Sequence, residues 1–170
     1  MKTTLLSWVC VEILKKYPDK IVHNWSFDAS TNHQASIFQH TIDEDVSDTF
    51  KMYDQHTIDD YHNHYDMAIE AGADLSRLII LIDTYKFVTA DVNSKTANKK
   101  ALHYIKQLTA LGATVISLGH TNKDGLKNSG TAEVEQDSDN VLRINRAVDE
   151  FSKNVTLTIE AAGRTRFNCS

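Results

Sequence analysis

The stretch Leu78-Ile79-Ile80-Leu81-Ile82-Asp83 (LIILID) decides the fold. Its unbroken run of branched apolar residues leaves no side for water. A strand built from it must be covered on both faces, as in a parallel sheet flanked by helices. The closing Asp83 then stands at the carboxyl end of a strand, the edge at which open α/β sheets take their ligands.

Downstream of this run, Ala97, Ala101, Ile105 and Leu108, flanked by Leu102 and Leu111, recur at helical spacing. They predict a helix from about Ser94, with Gly112 as its C-terminal cap. TVISLGH (114–120) reads as the next buried strand. NVLRIN (140–145) and NVTLTIE (154–160) read as two more, the last alternating like a half-exposed edge strand. Upstream, Leu5, Leu6, Val9, Ile13 and Leu14 predict a helix from Thr4 to Tyr17, stopped by Pro18. KIVHNWSFDAS (20–30) reads as a strand leading to Asp28. From Asn32 to Asp74 the pattern is weak: one or two helices fit, the better from Ile58 to Ala71, closed by Gly72. Helices and strands in this order predict an α/β fold, an open sheet with right-handed crossovers.

The 170 residues suffice for a single domain over residues 1–170, with 41% hydrophobic and 24% charged residues as in globular proteins. A net charge of -5 excludes a global field for nucleic acid or anionic membrane, so any such contact is local. The acids concentrate between His40 and Asp74, ten Asp or Glu against the single base Lys51, which reads as a solvated face. Cys10 and Cys169 make no disulfide framework, and a reduced, cytoplasmic setting is expected. No apolar run is long enough to span a bilayer, so no membrane partner is expected, and the residues after Met1 are too polar for a secretory signal.

The polar residues that follow the apolar runs are Asp28, Asp83 with Thr84, and His120 with Thr121, Asn122 and Lys123. The fold predicts that they gather on one rim. A carboxylate at a strand end can hold Mg2+ or polarise a water, which a magnesium-nucleotide site needs. At the other end of the chain, Met1-Lys2-Thr3-Thr4 leading into a helix matches the tail of the phosphate-binding motif G-x-x-x-x-G-K-[ST], with Met1 where its second glycine stands. The plain alternative is that Thr3 caps a helix. His62 and His64, near Asp59, Asp60 and Asp66, invite a metal reading, but residues two apart point to different sides of a helix.

LIILIDTYKF, SLGHTNKDG and SGTAEVEQDSDNVLRI together resemble the RecA-like P-loop ATPases of the plasmid RepA type, hexameric replicative helicases with phage and mobile-element relatives. The resemblance covers about residues 76–166, and 1–17 adds the tail of the loop. It implies a RecA-like three-layer sandwich without its first strand and most of its phosphate loop, a domain cut at its N-terminus. It also implies ATP and Mg2+ as cofactors, single-stranded DNA as a partner, and assembly into a homo-oligomeric ring.

Position by position, the resemblance gives Lys2, Thr3 and Thr4 to the nucleotide, and Thr3 and Asp83 to the metal. His120 becomes the sensor of the γ-phosphate, and Asn122, Lys123 and Lys127 become DNA-binding residues. Asp28 stands where relatives have a Glu that activates water. Either Arg164 or Arg166 reaches across a subunit interface. Two other classes stay open: a non-catalytic RecA-like remnant that serves as an interaction module, and a metal-dependent hydrolase that uses the histidines.

Overall fold

The computed structural model describes residues 2–27, 48–54, 56–89, 91, 93–119, 132–149 and 155–161. They run α1 (Lys2–Lys16), β1 (Ile21–Ser26), β2 (Phe50–Asp54), α2 (Ile58–Glu70), β3 (Leu78–Asp83), a 3-10 turn (Tyr85–Phe87), α3 (Lys95–Ala110), β4 (Thr114–Leu118), α4 (Ala132–Asp137), β5 (Leu142–Val148) and β6 (Val155–Ala161). Four strands form one sheet in the order β2-β1-β3-β4, every neighbouring pair parallel. The fold is mixed α/β, with LIILID as an inner strand and all six of its residues buried.

Strand alternation divides the sheet between two cores. Val22, Ile79 and Leu81 pack with Leu6, Cys10 and Leu14 of α1. Trp25, Ile80 and Ile82 pack with Tyr61 and Tyr65 of α2 and with Ala101, Leu102 and Leu108 of α3. Helices therefore cover both faces. The spacing of Leu6, Cys10 and Leu14, four residues apart, gives α1 its buried stripe, and Lys15 and Lys16 in its last turn complement the helix dipole.

Local chemistry sets the helix ends. Thr57 caps α2 in a reciprocal box: the Asp60 N–H donates to Thr57 Oγ1 at 3.2 Å, and the Thr57 N–H donates to Asp60 Oδ2 at 2.7 Å. The Thr57 bonds hold the Asp60 carboxyl below its ordinary pKa. Ser94 caps α3 by accepting from the Ala97 N–H. Gly112 follows α3 at φ +99°, and a Cβ there would stand 3.0 Å from Ser76 Cα, so both conformation and space call for glycine.

Three expectations need correction. The 32–74 region holds strand β2 as well as α2; it lies on the outer side of β1, with Val22 opposite Phe50 and Ser26 opposite Asp54. Its FKMYD is too short and mixed for a pattern reading, and pairing with β1 makes it a strand. β5 and β6 do not extend the parallel sheet but pair with each other, antiparallel, as a separate two-stranded sheet. Nor are they buried strands: Leu142, Ile144, Val148, Leu157 and Ile159 are all exposed. Finally, the polar stretch before β5 contains the short helix α4.

Candidate functional site

Register sets a row of residues along the carboxyl edge of the sheet. Asp54, Ser26, Asp83 and Leu118 are successive neighbours across it, and the Phe27 N–H donates to the Asp83 carbonyl at 2.9 Å. Because Ile79 and Leu81 face α1, alternation turns Asp83 to the same side. Val22 likewise puts Asn24 and Ser26 on that face. All three polar residues are buried, with Asp83 at 5% exposure, and Ser7 of α1 is buried too. A polar line thus runs beneath α1 to the carboxyl edge.

Helix α1 is joined to β1 by only four residues, 17–20, so its C-terminus lies at the amino end of the sheet. Fifteen residues at about 1.5 Å each carry its N-terminus back some 22 Å toward the carboxyl edge. Lys2, Thr3 and Thr4 form its first turn, and Thr4 is exposed. Lys2 and Thr3 are thus already helical, which removes Thr3 as a flanking cap. A helix start carries free N–H donors and partial positive charge. Set near the edge that holds a buried carboxylate, it forms an arrangement able to accept an anion with its counter-cation.

Just beyond Asp83, joined to Thr84 by a cis peptide, the Thr84 hydroxyl and the Tyr85 hydroxyl are buried without a hydrogen-bond partner among the described residues. Burial pushes the Tyr85 phenol up to about 12, so it stays protonated and able to donate. Sequence reasoning named Asp83 but missed Asn24 and Ser26. The signal was the alternation of HNWS in β1, in which each second residue is polar.

Of the other expected site residues, Asp28, His120, Asn122, Lys123, Lys127, Arg164 and Arg166 lie outside the described residues, as do the side chains of Lys2 and Thr3. Of the expected site residues, Asp83 and Thr4, with the backbone of Lys2 and Thr3, are the ones described.

The histidines of α2 diverge as their spacing requires. His62 packs on Tyr104 at 4.2 Å between ring centres, while His64 packs on Tyr53 at 4.8 Å and lies within 3.2 Å of its hydroxyl. Among the described residues no three His, Cys, Asp or Glu side chains gather as a metal site requires. Burial pushes the Cys10 thiol up to about 12, which leaves it a packing residue. No described helix is long and apolar enough to cross a membrane. No family model matches the chain, and no curated protein does.

Proposed function

We propose that the chain is a RecA-like P-loop ATPase domain of the helicase type, binding ATP with Mg2+ at the carboxyl edge of the sheet. The observation that carries this reading is Asp83, a buried carboxylate ending a fully buried inner parallel strand, on the face covered by α1 and at the edge toward which the helix start Lys2-Thr3-Thr4 points. In this reading the helix start and Lys2 meet phosphate oxygens, while Asp83 and Thr3 hold Mg2+. Single-stranded DNA and further copies of the chain are its partners.

The reading needs a glycine-rich loop ahead of Lys2, since a phosphate cradle is made of backbone N–H groups. Calorimetric titration with Mg-ATP tests it. The 170-residue chain should bind weakly, and a version carrying an apolar strand and a G-x-x-x-x-G loop ahead of Lys2 should bind about tenfold tighter or more. Asp83→Asn should abolish that gain. Equal affinity of the two versions, or indifference to Asp83→Asn, overturns the reading.

A second reading rests on the β5–β6 hairpin. Ile144 pairs with Ile159, and the apolar side chains of both strands share one exposed face. Such a face favours a non-catalytic module that docks on another protein. Nucleotide-independent association of the chain, unchanged by Asp83→Asn, would select it.

A further inference from the structure

A cleft of about 370 Å³ opens at the opposite end of the sheet, where β1 and β3 begin. Ile21, Leu75 and Leu78 give it apolar walls, and His23, Lys51 and Arg77 add polar ones. The volume lies at the low end of the range for small-molecule sites.

The donors here are built rather than scattered. His23 stands on β1 directly beside Lys51 of β2, and both side chains turn to the α2 face. The indole Nε1–H of Trp25 donates to the Tyr65 hydroxyl at 2.9 Å. The same hydroxyl lies 2.9 Å from His23 Nδ1, so the ring is held by a hydrogen bond to Tyr65. The ring lines the cleft beside Lys51 and Arg77. Tyr53 and His64 pack edge-on against His23, at 5.2 and 5.4 Å, and Tyr65 stacks on it at 6.0 Å, which fixes its plane. Burial, with the nearby His64 and Lys51, lowers its pKa to about 4, so near neutral pH it is uncharged.

Two full positive charges complete the wall. Arg77 donates its Nε–H to the Asp19 carbonyl at 2.6 Å, which anchors the side chain, and it lines the cleft. Neither Arg77 nor Lys51 forms an ion pair among the described residues. Of the two carboxylates at the cleft, Asp74 is held by its own turn, its Oδ1 accepting from the Ser76 N–H at 2.9 Å, with Lys20 nearby. Asp48 is exposed.

We propose that this cleft binds a small organic anion, its charged oxygens against Lys51, Arg77 and the His23 imidazole and its short apolar body on Ile21, Leu75 and Leu78. The shared chemistry is an anionic oxygen head group, carboxylate or phosphate, on a hydrocarbon stem. The site is separate from the Asp83 edge and does not depend on the nucleotide reading.

Titration of the full chain with hexanoate, hexyl phosphate and hexylamine, followed by the imidazole nitrogen signals of His23 and by Trp25 fluorescence, tests the proposal. At least one of the two anions should bind saturably and shift the His23 signals, and whichever binds tighter names the head group. Lys51→Ala and Arg77→Ala should each weaken binding about tenfold or more, and Asp83→Asn should leave it unchanged. Should Arg77→Ala disturb its turn, Lys51→Gln decides alone. The proposal is overturned if neither anion saturates, if both substitutions leave affinity unchanged, or if hexylamine binds as well as the anions.

Discussion

Strands β3 and β4 are neighbours in one sheet and similar in sequence, LIILID beside TVISL, yet they live in different surroundings. Every residue of β3 is buried, whereas Thr114 and Ser117 of β4 are exposed and Val115, Ile116 and Leu118 are only half-buried. The difference comes from partners. β3 has a hydrogen-bonded strand on each side, and β4, among the described residues, has β3 alone. An apolar run states what a strand needs; its neighbours decide whether it receives it.

The sharpest way to break this comparison is to truncate one residue in each strand. Ile80→Ala, in a fully buried site of the core shared with α2 and α3, should cost about 3–4 kcal/mol in urea unfolding, and Ile116→Ala less than about half of that. Equal losses would mean that Ile116 is as well covered in solution as Ile80. Gly112→Val should cost about 2 kcal/mol, since φ +99° and the backbone of Ser76 both resist a side chain at the entry to β4.

A smaller effect should come from pH. The depressed pKa of His23, about 4 against an ordinary 6.5, means the unfolded chain takes up the proton first. Stability should thus be full above pH 6.5 and fall as pH drops from 6.5 toward 4, by about 1–2 kcal/mol once the ring's partial contact with water is allowed for. His23→Gln should flatten that part of the profile. Thr57→Ala, which removes the cap of α2 at an exposed position, should cost about 1 kcal/mol. The least effect belongs to Lys106→Ala: its 2.9 Å pair with Asp137 joins α3 to α4 in solvent, and its loss should change stability by less than about 0.5 kcal/mol.

These contrasts also explain what the sequence revealed. LIILID and the helix ending at Gly112 were legible because an unbroken apolar run, a helical period and a capping glycine are each local signals; TVISL was legible as a strand, but not as the buried one expected, since none of its five residues is buried. Gly72, at φ +62°, likewise closes α2 where expected. β2 was not legible. FKMYD mixes Lys51 and Asp54 with Phe50, Met52 and Tyr53, and its strand character comes from pairing with β1. β5 and β6 were legible as strands, but which sheet a strand joins depends on distant partners.

At the carboxyl edge, Asp83 was legible because an acid after five apolar residues is conspicuous. Asn24 and Ser26 gain their place only from the side of β1 that faces α1. The amino-end cleft left no local mark, because it draws His23, Lys51 and Arg77 from three separate segments.

The glycine turn after α3 has one more effect. The Leu75 N–H donates to the Leu111 carbonyl at 2.8 Å, so the loop entering β3 is tied to the loop entering β4. Leu75, a wall of the cleft, is thereby latched to the end of a helix outside the cleft. Fraying of α3 at its last turn would release that latch. Hydrogen exchange at the Leu75 amide would then report a motion that begins thirty-six residues away in the chain, at Leu111.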